Sequence, residues 1–262
     1  MSDSIPPAVS LRLLYNYLRE LADSGVVDVL LTENALGKLR TLTVKPGQQI
    51  PASENKTLEL AALREHAENS QSCRSLGTLR STMVFSVGNP DARIAFIGEA
   101  PGAEEEKQRK PFVGPAGKLL TRIIETMGMS RTDVYIANIL KFRPRISDAD
   151  QGVKNRKPSA EEIAASIQCV RDEIDVVRPE LIIALGGSAM QALLGLDGGV
   201  NRARGKLYDL GAHKAIVTYH PSYLLRSGSN SDKRKLWEDM LMAMNYLGMP
   251  VSAKQKNYFK DR

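Results

Sequence analysis

The sequence predicts an α/β fold: a three-layer αβα sandwich with a central four-stranded parallel sheet, plus an N-terminal helical appendage. Two observations predict it. Short apolar runs at 93–97, 134–139, 181–185 and 215–219 are separated by helical patterns at 119–127, 160–177 and 189–194. Buried strands alternating with helices of that length make βαβ units, and such units build parallel sheets. Polar groups capable of chemistry then fall just past the ends of the same runs, at Gly98-Glu99, Asn138, Gly186-Gly187-Ser188 and His220. Open sheets of this kind bind ligands outside the carboxyl ends of their strands.

The elements follow in chain order. Leu11, Leu14, Leu18 and Leu21 are spaced three and four apart, giving one apolar helical face within 8–22. Segment 26–31 fits either a continuation of that helix or a short strand. Residues 44–55, rich in Pro, Gln, Ser and Asn, read as a linker, and 58–66 as a further helix. Residues 1–70 thus form a helical appendage with its linker, and 71–250 form the α/β domain. Residues 251–262 are a basic tail expected to be disordered. Within the domain, 145–157 is polar and aperiodic and reads as a mobile loop near the active edge.

Bulk properties exclude several classes. The 262 residues contain two cysteines, too few for a disulfide framework or an all-thiolate four-cysteine site. No segment approaches the length of a membrane span, and Met1-Ser2-Asp3-Ser4 lacks a signal-peptide pattern, so a cytoplasmic location is expected. The formal net charge of +6 suits a polyanion, because basic side chains release counterions from phosphates. The same charge also serves solubility alone.

The stretch 98–117, GEAPGAEEEKQRKPFVGPAG, concentrates the chemistry. It brings backbone N–H groups, the carboxylate of Glu99 and the ring of Phe112 to the end of a buried strand. Those parts suit a flat, polar heterocycle. Together with IANILKFRP, LGGSA and HPSYLLR in that order, the stretch resembles the uracil-DNA glycosylase superfamily, its family 4 branch, from roughly residue 76 to 226.

The resemblance implies an enzyme that flips uracil out of DNA and hydrolyses its N-glycosidic bond. An abasic site remains, and base-excision repair begins there. It implies Glu99 and His220 as catalytic groups, with Glu105 as a supporting second acid. Ala100, Phe112 and Asn138 would hold uracil: a backbone N–H on a carbonyl, a stacking ring, and an amide reading the base edge. Ser188, Ser222, Arg226 and Arg109 would meet DNA, and Leu224 and Leu225 would supply a wedge into the base stack. The expected partner is uracil-containing DNA, bound by a monomer with no membrane association.

Plainer readings stand beside these. Glu104 and Glu106 read as a solvated charge run, His66 and His213 as ordinary histidines, and Ser188 equally as a helix N-cap. Leu224 and Leu225 also fit a helix packed on the core. A glycosylase for hypoxanthine or xanthine, or a DNA-binding module without catalysis, would keep the same fold.

The chain departs from family 4 at the four-iron cluster. Its ligand positions fall at Gln71, Arg74, Phe142 and Ser166, none of them cysteine, while Cys73 and Cys169 lie out of register. The cluster is therefore expected to be absent, with no metal in its place and both cysteines as free thiols. Arg109 stands where family 4 has glycine. A sister branch traps DNA through a histidine in the loop after the KxRP segment; residues 145–157 contain none, so covalent trapping is not expected.

Overall fold

The computed structural model describes residues 52–146 and 151–259, with the isolated positions 18, 29 and 32. The helical face at 8–22, segment 26–31 and most of the linker at 44–55 lie outside the described residues, as do 147–150 of the long loop. The chain divides into two compact units, Met1–Asn69 and Ser70–Arg262. In the first unit the described element is a helix, α1 (Ala52–Glu68).

The second unit is built on a six-stranded mixed sheet. Its inner four strands are β3 (Ile94–Gly98), β4 (Tyr135–Asn138), β6 (Leu181–Leu185) and β8 (His213–Thr218). They run parallel in the spatial order β4-β3-β6-β8. Two strands beyond the expected four close the edges, both antiparallel: β2 (Val87–Gly88) on β4, and β7 (Leu207–Leu210) on β8. A separate antiparallel pair joins β1 (Leu79–Met83) to β5 (Phe142–Pro144).

Helices cover both faces of the sheet. Ile94, Phe96, Ile136, Ile183 and Ile216 point to one face, where they meet α4 (Pro115–Thr126), α8 (Pro221–Ser227) and α9 (Asn230–Tyr246) in a single apolar core. α5 (Ala160–Val177) packs on β4, and α6 (Gly187–Leu194) on β3 and β6. β3 and β6 are buried along their whole length, as strands covered on both faces must be.

Local signals set the helix ends. Ser159 accepts from Glu162 N–H while Glu162 reaches back to Ser159 N–H, a reciprocal cap that starts α5. Pro115 and Pro221 open α4 and α8, where a missing N–H costs nothing. α2 (Gln71–Ser75), α3 (Ala103–Gln108), α7 (Val200–Ala203) and α10 (Ala253–Lys256) are short.

Two segments expected to be mobile or disordered make defined contacts where they are described. The tail is held at Gln255 and Tyr258: Trp237 Nε1 donates to Gln255 O at 2.6 Å, Gln255 Nε2 to Thr126 O at 2.7 Å, and Arg234 Nη1 to Tyr258 O at 2.7 Å. Residues 151–157 of the long loop are pinned by Arg143, which donates to Asn155 Oδ1 at 2.9 Å, Gly152 O at 2.8 Å and Lys154 O at 2.7 Å. Arg143 and Arg80 also pair with Glu106, at 3.1 and 2.6 Å, so Glu106 is no solvated charge.

Candidate active site

The register of the sheet aligns its strand ends. Gly98 lies opposite Asn138, Ile97 opposite Ala184, and Leu185 opposite Thr218. Just past those ends opens a cleft of about 570 Å³. Glu99, Ala100, Glu105, Phe112, Asn138, His220, Ser222 and Arg226 all line it.

Asn138 ends β4 and is 3% exposed. Its Oδ1 is the one buried side-chain polar atom without a hydrogen-bond partner among the described residues. Such an atom carries a desolvation cost of about 1–3 kcal/mol, which a donor on a ligand would relieve. Gly98 makes room for it: a Cβ there would lie 2.5 Å from Asn138 Oδ1 and 2.5 Å from Phe112 Cζ.

Phe112 reaches this point through a loop of unfavourable geometry, with φ at +53°. Arg131 holds the loop by donating to Phe112 O at 3.0 Å and Pro111 O at 2.9 Å. Gly117 permits the close approach, since a Cβ there would meet the Phe112 carbonyl at 2.0 Å. Glu105 clamps the same loop from the other side. Its carboxylate accepts from Gly102 N–H at 3.2 Å, Val113 N–H at 3.0 Å and Gly114 N–H at 2.8 Å. The geometry therefore gives Glu105 a loop-holding part rather than that of a free acid.

His220 caps α8 and faces Phe112, with ring centroids 5.6 Å apart. Its Nδ1 accepts from Ser222 N–H at 3.2 Å and lies 2.8 Å from Ser222 Oγ. An acceptor at Nδ1 leaves the hydrogen of the neutral ring on Nε2. Burial first, then the Arg226 charge, pushes its pKa from 6.5 down to about 4. Gly186, at φ +89°, packs beneath it, where a Cβ would sit 3.0 Å from His220 Cβ.

Ser188 is not an N-cap; that position belongs to Gly186. Ser188 Oγ instead donates to Glu99 Oε2. Of the two leucines, Leu224 is 3% exposed and belongs to the apolar core, so its assignment to DNA is corrected. Leu225, the next residue on α8, is 51% exposed.

Arg109 is exposed and is absent from the cleft wall. It ends α3 in the left-handed conformation, φ +51°, which glycine adopts without cost. Sequence reasoning placed Gly98 and the 145–157 loop at the active edge but missed the clearance that Gly98 provides, the grip of Arg131 and the place of Asn155 to Lys157 in the cleft wall. It also missed the stacked pair Tyr219 and Tyr223, 5.0 Å apart.

The order of these groups along the sheet edge matches a known family. A profile of the uracil DNA glycosylase superfamily covers residues 85–241. The chain belongs to that superfamily. It is 41% identical over 170 residues to the type-4 uracil-DNA glycosylase of Thermotoga maritima, covering 64% of this chain and 84% of that protein. It is 36% identical over 182 residues to the type-4 enzyme of Archaeoglobus fulgidus, at 64% and 87% coverage. The type-4 enzyme of Saccharolobus solfataricus is 38% identical over 189 residues, at 69% and 82%.

Superfamily membership brings the cluster positions into focus. The Arg74 guanidinium lies over the Phe142 ring, 5.4 Å from its centroid. Cys73 Sγ lies 3.5 Å from Ser166 Oγ and donates to Ala165 O at 3.4 Å. An arginine on a phenyl ring and a thiol beside a hydroxyl occupy the ground where four thiolates would be needed. The donor set does not fit a four-iron cluster. Both cysteines are free thiols. Among the described residues, no helix is long and apolar enough to cross a membrane.

Proposed function

We propose that this chain is a monofunctional uracil-DNA glycosylase that leaves an abasic site and so initiates base-excision repair. The observation that carries the reading is the orphaned Asn138 Oδ1, buried near the Phe112 ring in a cleft that His220 also lines. Uracil offers what that atom lacks: its N3–H donates to Oδ1, while the Asn138 amide donates to O4. Cytosine presents the inverse pattern. Phe112 stacks on the flipped ring, and the backbone N–H of Ala100 meets a uracil carbonyl.

As the N-glycosidic bond breaks, its electron pair passes into uracil and negative charge gathers on O2. His220, neutral with its hydrogen on Nε2, donates there. Removal of one such donor typically costs about 2.7–4 kcal/mol of barrier. Glu99, oriented by Ser188, positions the water that attacks the sugar carbon and balances the cationic sugar. Glu105 supports both by holding the loop that carries Phe112. Ser222, Arg226 and Arg109 contact phosphates, and Leu225 enters the space vacated by the flipped base.

The reading includes no iron–sulfur cluster, because packing by Arg74, Phe142, Cys73 and Ser166 takes its place. The enzyme acts as a cytoplasmic monomer on DNA. Base release from single- and double-stranded DNA carrying uracil, hypoxanthine or xanthine tests the proposal. Abasic product from uracil DNA is expected, and none from either strand form would overturn it. Stoichiometric iron in the purified protein would overturn the cluster-free part.

A further inference from the structure

We infer that Lys141 and Glu173, a buried ion pair outside the cleft wall, position Asn138 and thereby set how well the site reads its base. The inference rests on the glycosylase reading for its activity arm alone. The two side chains are 2% and 1% exposed, and Lys141 Nζ lies 2.5 Å from Glu173 Oε1. The ammonium has two further partners: it donates to Ser86 Oγ at 2.9 Å and to the backbone carbonyl of Asn138 at 3.1 Å. Its three donors are thus accounted for. Glu173 is equally engaged, accepting from Tyr135 OH at 2.8 Å, from Ser86 Oγ and from Cys169 Sγ at 3.4 Å.

The consequence lies in the peptide unit that follows Asn138. Lys141 takes its carbonyl oxygen, and on the other side Ile139 N–H donates to Gly98 O at 2.9 Å. That peptide plane is gripped at both ends, by a charge on one side and by strand β3 on the other. The Asn138 side chain springs from the gripped unit, and its Oδ1 has no partner of its own to hold it. Orientation of the base-reading amide is therefore inherited from the backbone. The clamp is rooted away from the cleft, in α5 through Glu173 and in β4 through Tyr135.

Stability alone is a poor reason for such a pair. Replacing a buried ion pair with apolar groups of similar size is often neutral or stabilising. What an apolar replacement could not do is hold the Asn138 carbonyl. Misplacement of a positioned group by about 1 Å can cost about 100-fold in rate.

The test uses the full chain with Lys141→Met and Glu173→Gln combined, so that no lone charge stays buried. Three readouts are compared with the parent: single-turnover uracil release with its split into kcat and KM for DNA, inhibition by free uracil, and amide hydrogen exchange at Ile139. For a double variant that melts cooperatively, kcat is expected to fall about 10- to 100-fold with KM for DNA unchanged. Free uracil should inhibit more weakly, and Ile139 exchange should quicken. Parental kcat and parental inhibition in the folded variant would overturn the inference.

If the double variant does not fold, Ser86→Ala removes one partner from each charge and keeps the pair. It should show a smaller loss in kcat at unchanged KM, and a parental kcat there would also overturn the inference. If the parent itself releases no base, the glycosylase reading has failed, and Ile139 exchange alone decides the clamp. Unchanged exchange would then overturn it.

Discussion

Ser222 donates its backbone N–H to Nδ1 of His220 at 3.2 Å, and this bond decides which nitrogen of His220 carries the hydrogen of the neutral ring. Protonation at Nδ1 would set two hydrogens against each other and break the cap of α8. With the pKa held near 4 by burial, the ring stays neutral across the working range. Uracil release should therefore be level on the acid limb down to about pH 5 and fall only towards pH 4. A loss centred near 6.5, the ordinary value, would contradict the assignment. His220→Ala should slow cleavage far more than it weakens DNA binding.

The same shift has a sign for stability. Its pKa is 6.5 in the unfolded chain and about 4 in the folded one, so between those values the unfolded chain binds a proton that the folded chain refuses. Stability contributed by His220 is complete above 6.5 and is lost as pH falls to 4, by up to about 3 kcal/mol. Chemical denaturation at pH 7 and pH 4.5 should show a smaller difference in His220→Gln than in the parent.

Asn138→Asp should reverse what the site reads. A carboxylate can accept from uracil N3–H but cannot donate to O4, and it leaves a charge in a site that is 3% exposed. Uracil release should drop about 100-fold or more, with the ratio of uracil to cytosine release falling alongside it. Paired rate measurements on the two substrates check this; an unchanged ratio would remove Asn138 from the base-reading role.

Leu224 and Leu225 separate core from surface. Leu224→Ala should cost about 2–5 kcal/mol of stability. Its release of uracil from single strands should match the parent once protein is folded. Leu225→Ala should leave the melting temperature nearly unchanged and slow release from duplex more than from single-stranded DNA, because only the duplex needs a wedge. Equal effects of the two variants on duplex cleavage would count against it.

These contrasts show what the sequence could carry. The inner strands and the groups at their ends were legible because burial on both faces leaves continuous apolar runs. β7 was not, since Leu207 is exposed and Tyr208 and Leu210 are only half-buried, so no apolar face marks the strand. Adjacent residues on a helix point in different directions, so HPSYLLR alone did not show which leucine faced inward. The grip of Arg131 on the Phe112 loop spans 19 residues and left no local pattern. The left-handed backbone at Arg109, the reason glycine suits that position, is likewise invisible before folding.

Gly98 gives the most demanding test of the site, because its part is to be absent. It lies inside β3, paired with Asn138, where backbone geometry would tolerate any residue. A methyl group there would stand 2.5 Å from Asn138 Oδ1, 2.5 Å from Phe112 Cζ and 2.8 Å from Phe112 Cε2. Phe112 cannot simply retreat, since Arg131 and Gly117 fix its carbonyl. The displacement must then fall on the Asn138 amide and the Phe112 ring, the two groups proposed to grip the base. Gly98→Ala should therefore cut uracil release about 100-fold and weaken inhibition by free uracil. DNA binding through Ser222, Arg226 and Leu225 should persist. If Gly98→Ala folds and cleaves like the parent, then neither ring nor amide touches the base where the geometry puts them.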